Sequence, residues 1–370
     1  MTTPVIWFND GLSVMAEAIQ ALRSENNTIS KIIVSHKNPY FVGFDMADTF
    51  VVESVFDSSK AYADWALSFA KEHGVTHFFV GRHGLEISRR KQLFEEAGVA
   101  LLYTLTPDQW NDIDDKAAFY NRLNEAGHGF MLPHWRIWRD SYRGSGLRPL
   151  IEEIVSVPST PARQACVKPV RGIFGQGFFL FNEEPDASQQ LFFPEEKVIS
   201  PSTFGSLAYT ASAKEGKERD WMIMEYLPGP EYSVDTLAYE GELVTFVARQ
   251  KSDVPAEGQQ IVGDADIVEQ LRILAQEFKL SGVFNAQFRR DVNGDLRVLE
   301  INPRFSGGMG MSLKAGVNLP FWWLQLVMTE GRCIKDIPQA NIGMRVYSWH
   351  TAVQITDHSQ ATQGCHKDTQ

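Results

Sequence analysis

The side chains best placed to do chemistry lie in a hairpin-like stretch, Val283-Phe-Asn-Ala-Gln-Phe-Arg-Arg-Asp-Val-Asn-Gly-Asp-Leu-Arg-Val-Leu-Glu-Ile-Asn-Pro303. Two strand-like runs flank Asn293-Gly294, a strong short-range signal for a hairpin turn. With Asn293 and Gly294 as a two-residue loop, Val292 faces Asp295, Gln287 lies opposite Glu300, and Asn285 lies opposite Asn302. Alternation then sends Phe284, Ala286, Phe288, Leu299 and Ile301 to one apolar face, and Asn285, Gln287, Arg289, Glu300 and Asn302 to the other. Facing side chains sit about 5 Å apart at Cβ. A glutamate carboxylate beside two amide carbonyls is a set of hard oxygen donors suited to Mg2+. A wet hairpin edge bonded to itself would show the same pattern. The continuation Pro303-Arg304-Phe-Ser-Gly-Gly308 favours the metal, because a guanidinium and a glycine pair can hold a phosphate or carboxylate that the metal also touches.

Upstream, Ala165-Cys-Val-Lys-Pro-Val-Arg-Gly-Ile-Phe-Gly-Gln-Gly-Phe178 places Lys168 at a strand end, just before a loop with Gly172, Gly175 and Gly177. Lysine offers a point charge to phosphate oxygens, and glycine lets backbone N–H groups approach an anion. The lysine precedes the glycines and no Gly-Lys-Ser/Thr follows, so this is not a Walker loop. A plain glycine-rich turn reads equally well from this stretch alone. Next, Trp221-Met-Ile-Met-Glu-Tyr-Leu-Pro-Gly-Pro-Glu231 is an apolar strand entering a proline-glycine crossing. Such a crossing can present backbone around Glu225 and Leu227 to an adenine edge, with Glu231 accepting from ribose hydroxyls. A strand passing from one sheet to another would also look like this.

These groups need a scaffold, and the pattern supplies one. Strand-like Pro4–Phe8 meets Asn9-Asp10-Gly11, and Val14, Ala18, Ile19 and Leu22 then recur at helical spacing. Strands at Lys31–Ser35, Phe50–Val52, His77–Gly81 and Val99–Leu102, with helices over Ala61–Glu72 and Glu86–Ala97, complete a parallel α/β domain spanning residues 1–110. Its ligand edge belongs at the strand C-termini. There Gly81-Arg82-His83-Gly84-Leu85-Glu86 is a candidate substrate contact, or simply a helix entry favoured by Glu86. From Asn111, Asp112 or Asp114 can cap a helix through Lys116, Phe119, Tyr120 and Leu123. A second helix covers Leu147–Ile154. Short strands follow at Ala165–Pro169, Gly177–Phe181, Trp221–Tyr226, Tyr232–Tyr239 and Leu243–Arg249, with helices near Ser202–Ala213, Ile267–Phe278 and Pro320–Thr329. The polar segment 356–370 reads as a frayed tail.

Composition narrows the function class. A chain of 370 residues, 44% hydrophobic and 22% charged, can bury a large core and is neither disordered nor fibrous. A net charge of −11 argues against nucleic acid as a partner. Cys166, Cys333 and Cys365 lie too far apart for a disulfide framework or a metal knuckle, which suits a reducing cytoplasm. No secretory leader and no run of about 18 apolar residues is seen, so a membrane location is not expected. The scattered histidines, His36, His83 and His134 among them, suggest no nucleophilic triad.

Taken in order, the lysine before a glycine loop, Met-Glu-Tyr-Leu-Pro-Gly-Pro-Glu-Tyr and Leu-Glu-Ile-Asn-Pro-Arg-Phe-Ser-Gly-Gly resemble the ATP-grasp superfamily. The likeness is to its carboxylate–amine ligases, similar to carbamoyl phosphate synthetase halves, over about residues 111–330. The resemblance implies a pre-ATP-grasp α/β domain (1–110), two α+β lobes (111–228, carrying the lid, and 229–355) and the tail. It implies that Lys116 and Lys168 hold nucleotide phosphates, that Gly172, Gly175 and Gly177 form the lid, and that Glu225 and Leu227 meet adenine and Glu231 ribose. It further implies Gln287, Glu300 and Asn302 as magnesium ligands and Arg304, with Lys168, as the catalytic cations. Arg249 becomes a further phosphate contact, although a lone arginine is more often an ion-pair partner. Two departures stand out: many relatives carry a carboxylate where Gln287 stands, and the lid holds Ile173 and Phe174 where glycine is common.

The implied cofactors are ATP and Mg2+, with Mn2+ an acceptable substitute. The implied partners are a small-molecule carboxylate and an amine, with a homodimer allowed. A carboxylate is a poor electrophile, so joining it to an amine requires activation as an acyl phosphate, and a closing lid keeps water from that intermediate. The expected reaction yields an amide, ADP and phosphate. The alternatives are a nucleotide-binding regulatory subunit without turnover, or an ATP-dependent kinase or carboxylase of a small metabolite.

Overall fold

The computed structural model describes residues 3–9, 14–25, 29–140, 146–156, 164–172, 175–186, 188, 191, 197–349 and 352–359. The chain divides into two compact units, one of residues 1–110, 232–286 and 301–370, the other of residues 111–231 and 287–300.

The first unit begins with strands β1 (Val5–Asn9), β2 (Lys31–His36), β3 (Thr49–Val52), β4 (His77–Phe79) and β5 (Ala100–Leu102). Every pairing among them is parallel, in the order β3-β2-β1-β4-β5. Ile6, Trp7 and Phe8 are consecutive and all fully buried, as expected of a strand between two helical layers. Trp7 stacks on Phe78, centroids 3.9 Å apart, toward the helix Ser59–Glu72, whose first turn is capped by the Ser58 side chain. Ile6 and Phe8 pack on the other side with the helices Val14–Glu25 and Leu319–Thr329. The α/β expectation is met. The helix expected over 86–97 is two short pieces, Gly84–Ser88 and Lys91–Glu96.

The second unit holds β6 (Trp135–Arg139), β7 (Ala165–Pro169), β8 (Phe179–Phe181), β9 (Val198–Ile199) and β10 (Asp220–Glu225), in the order β6-β10-β7-β8-β9. Trp138, Ile154, Val167, Phe204 and Ile223 form its core. Its first helix is Lys116–Glu125, capped by Asp115, whose Oδ1 accepts from the Ala117 and Ala118 amides at 3.0 Å. Asp112 and Asp114, expected as caps, lie inside the preceding helix Pro107–Asp114.

The remaining strands are β11 (Glu231–Tyr239), β12 (Glu242–Lys251), β13 (Gln259–Val262), β14 (Gly282–Arg290), β15 (Leu296–Asn302) and β16 (Arg345–Val346), ordered β15-β14-β11-β12-β13-β16. Of the segment 356–370, Thr356–Ser359 is described. The His358 amide donates to the Pro39 carbonyl at 3.3 Å, and its ring packs on Phe50 at 4.2 Å. The rest of that segment, Cys365 included, lies outside the described residues, as do Ile173 and Phe174. Among the described residues no helix is long and apolar enough to cross a membrane.

Candidate functional site

Lys116 opens its helix directly after the Asp115 cap, so the cap that starts the helix also fixes where the ammonium leaves it. The Lys116 amide donates to the Val170 carbonyl at 3.2 Å. Its Nζ donates to the Gly172 carbonyl at 3.0 Å and lies 3.3 Å from Glu300 Oε2. Lys168 is on β7, opposite Met222 of β10. Its Nζ donates to the Leu299 carbonyl at 3.3 Å and stands 5.5 Å above the Tyr120 ring. Tyr120 is fully buried and its hydroxyl donates to the Val298 and Leu299 carbonyls. Burial pushes the Lys168 ammonium down to about 8, with Glu300 opposing and Lys116 reinforcing the shift. Two ammonium groups thus share one carboxylate in a water-poor setting, an arrangement that favours an incoming polyanion.

At the other end, the Glu225 amide donates to the His134 carbonyl and its carboxylate accepts from the His134 amide at 2.8 Å. The chain then crosses at Pro228-Gly229-Pro230, where Gly229 donates to the Arg290 carbonyl and Arg290 to the Pro230 carbonyl. Arg289 Nε donates to the Gly229 carbonyl at 3.0 Å, with the guanidinium 5.1 Å above the Tyr226 ring.

The hairpin turn differs from the expectation. The Asp291 amide donates to the Asp295 carbonyl and the Gly294 amide to the Asp291 carbonyl, so Asp291, not Val292, faces Asp295 across a three-residue loop. The cause is the Asp291 carboxylate, which accepts from the Asn293 and Asp295 amides at 2.9 Å and pairs with Arg297 at 2.8 Å, while Gly294 takes a φ of 87°. The expected register is therefore off by one at the turn. Along β15 the buried positions run Leu296, Val298 and then Ile301, so the alternation slips at Leu299–Glu300. Glu300 consequently still shares a face with Gln287. Leu299, expected on the apolar face, lines the cavity with them. Asn285 is buried and donates to Ser233 and Asp235.

These elements enclose a cavity of about 260 Å3 within the second unit. Of the candidate residues, Lys116, Lys168, Gly172, Gly175, Glu225, Leu227, Glu231, Gln287 and Glu300 line it. Gly177 is not among the lining residues. Asn302, Arg304 and Arg249 belong to the first unit. Arg304 donates to Asn302 Oδ1 at 3.3 Å and to the Phe305 carbonyl at 3.2 Å. Arg249 is buried against Asp235. Sequence reasoning gave no role to Tyr120, Tyr226 or Arg289. The aromatic beside Leu227 and the arginine on the polar face of β14 were readable signals for the last two. Cys166 also lines the cavity, but burial pushes its thiol up to about 12, which leaves it a neutral wall group.

The donor set fits a hard cation. Glu300 and Gln287 offer oxygen to the cavity, and among the described residues no group of three His, Cys, Asp or Glu side chains could hold a metal alone. Mg2+, which binds few protein oxygens when phosphates supply the rest, suits such a set.

Residues 217–352 match the family described as ATP-grasp in the biosynthetic pathway with Ter operon. By sequence, no curated protein matches the chain. Among solved structures it is similar to N5-carboxyaminoimidazole synthetase from Staphylococcus aureus complexed with ADP, with TM-score 0.59, 15% identity, and coverage of 88% of this chain and 77% of that one. It is similar to L-amino acid ligase from Bacillus licheniformis, with TM-score 0.58, 14% identity, 91% of this chain and 78% of that one. A third likeness is to the biotin carboxylase domain of 2-oxoglutarate carboxylase from Hydrogenobacter thermophilus, in complex with MgADP and bicarbonate, with TM-score 0.58, 15% identity, 89% of this chain and 70% of that one. At such identities the likeness is one of fold.

Proposed function

We propose, from the match of residues 217–352 to an ATP-grasp family and the likeness of fold, that the chain is an ATP-dependent ligase of the ATP-grasp superfamily that joins a small-molecule carboxylate to an amine. The observation that carries this reading is the gathering of Lys116, Lys168, the Glu225–Leu227 backbone, Glu231, Gln287 and Glu300 around one cavity.

In this reading the Glu225–Leu227 backbone meets the adenine edge and Glu231 accepts from the ribose hydroxyls. Lys116 and Lys168 hold the phosphates, and the glycines at 172, 175 and 177 cover them. Glu300, Gln287 and Asn302, the last two residues beyond Glu300 on β15, would hold Mg2+, which would supply charge neutralisation at the phosphate oxygens. Lys116, which pairs with Glu300 in the structure, would turn its ammonium to phosphate. Arg304 and Lys168 steady the γ-phosphoryl group as the substrate carboxylate takes it. The amine attacks the acyl carbon, phosphate leaves, and an amide forms. The chain supplies positioning and charge, with no protein nucleophile. Residues 111–228 and 229–355 act as the two lobes that follow the α/β domain of residues 1–110 along the chain, and the active species is a monomer or a homodimer.

A second reading, with bicarbonate as the carboxylate, is motivated by the bicarbonate in the biotin carboxylase complex. ADP release over a matrix of carboxylic acids, bicarbonate and amines tests both readings. Release that requires a carboxylic acid and an amine together supports the ligase, and release with bicarbonate as the acid component supports the second reading. Stoichiometric ATP binding with no turnover across the matrix would replace both with a regulatory nucleotide-binding role.

A further inference from the structure

Arg249 stands on β12 with its side chain 2% exposed, and the company it keeps is unusual for a phosphate contact. Its Nη2 donates to Asp235 Oδ2 at 2.9 Å, to Ser233 Oγ at 3.2 Å and to Ser306 Oγ at 3.0 Å, and its Nη1 to Gln259 Oε1 at 3.3 Å. Asp235, equally buried, also accepts from Ser312 Oγ at 2.6 Å and from Asn285 Nδ2 at 2.8 Å. The guanidinium charge is thus already balanced inside the protein. A buried pair of this kind is weak as a source of stability but strong as a fixer of geometry, because removing either partner strands the other.

What the pair fixes is the turn after β15. Ser306 Oγ takes the Arg249 bond and also accepts from the Gly308 amide at 3.1 Å. At Gly308 a Cβ would lie 1.8 Å from Arg249 Nη1, so turn and guanidinium are packed with no room for a methyl group. Arg304 in turn donates to the Phe305 carbonyl of the same turn and to Asn302.

We propose that Arg249 is a positioning residue: through Asp235 and Ser306 it fixes the Phe305–Gly308 turn and thereby the direction of Arg304. The inference rests on the role given to Arg304 above, and it takes Arg249 out of direct contact with phosphate. Lysine at 249 keeps the charge but loses the fork that reaches Asp235 and Ser306 together.

The test combines Arg249→Lys, Ser306→Ala and the double variant, read two ways on the full chain. Without nucleotide, hydrogen exchange at amides 305–309 is expected to quicken about tenfold or more in both single variants. In turnover, kcat is expected to fall about tenfold or more with Arg249→Lys while the KM for ATP holds within about twofold, and the double variant is no worse than Arg249→Lys alone. Unchanged exchange in the single variants overturns the proposal. So does a raised KM for ATP with losses that multiply in the double variant, which is the signature of direct phosphate contact. Should Arg249→Lys fail to fold, Ser306→Ala carries the exchange and turnover readings on its own. A wild-type protein that turns nothing over, yet whose variants show the quickened exchange, would sink the ligase reading and leave the positioning role standing.

Discussion

Two clusters of buried charge in this protein follow opposite rules. At Arg249 one guanidinium meets one carboxylate, and hydroxyl and amide groups on Ser233, Gln259, Asn285, Ser306 and Ser312 surround the pair, leaving only Nε of the guanidinium without a partner among the described residues. At Lys116 and Lys168 two ammonium groups lean on a single carboxylate and on backbone carbonyls, around a cavity. Balanced in charge and closed to solvent, the first cluster holds a turn. The second is unbalanced and open, and binding an anion relieves it. Charge balance, more than burial, separates scaffold from site here.

The sharpest way to break this contrast is to remove one charged group from each cluster. Glu300→Ala is expected to lower magnesium-dependent ATP turnover about a thousandfold while thermal unfolding moves by no more than about 2 °C. Steady-state ADP release beside a melting curve checks both halves, and a large loss of stability would erase the distinction. The mirror case is Arg249→Met, expected to cost about 3–5 kcal/mol of folding stability because it strands Asp235. Denaturant midpoints measure this.

A pH experiment sharpens the picture of the open cluster. Burial holds Lys168 near 8 without nucleotide, below the ordinary lysine value, so above pH 8 the folded chain holds this lysine increasingly neutral. Bound phosphate favours the charged form, so binding takes up a proton and ATP affinity falls as pH rises from 8 toward 10. Calorimetry at pH 8.5 in buffers of different ionisation enthalpy detects that uptake, and Lys168→Met should abolish it. The same shift has a folding consequence. A lysine whose folded value is depressed weakens the fold below pH 8, and that penalty fades as pH rises from 8 to the ordinary lysine value.

The smallest effect is expected at Glu53, a buried acid between β3 and the helix Ser59–Glu72, which accepts from Ser35 Oγ and Tyr62 OH. Burial raises its value despite those bonds, so its charged form costs stability as pH rises above the ordinary glutamate range. Glu53→Gln, which keeps an oxygen acceptor, is expected to raise the melting temperature at pH 7 by about 1–3 °C and to leave it unchanged or lower near pH 4. A drop at pH 7 would show that the acid is held there in charged form by groups this account undervalues.

Much of this was legible in the sequence because the signals were local. Continuous apolar strands such as Ile6-Trp7-Phe8 announce a parallel sheet, and Glu300-Ile-Asn-Pro-Arg304 keeps its chemistry within five residues. The edge strand β6 was missed because Trp135-Arg136-Ile137-Trp138-Arg139 pairs on one side only and carries charge on its open face. The hairpin register was misread because a side chain, Asp291, set the loop length where the Asn-Gly dipeptide was expected to. Tyr120 could not be found at all, since its hydroxyl reaches carbonyls 178 and 179 residues away. For Arg249, neighbours from β11, β13 and the turn after β15 decide whether the charge faces solvent or the interior, and no local pattern records them.

The most direct test of the account is titration of MgATP into the wild-type chain and into Lys168→Met. One nucleotide per chain, bound about ten to a hundred times more weakly by the variant, is the predicted result. Equal affinity in the two proteins, or no binding to the wild type, would contradict the assignment of the unbalanced lysine pair to nucleotide phosphate.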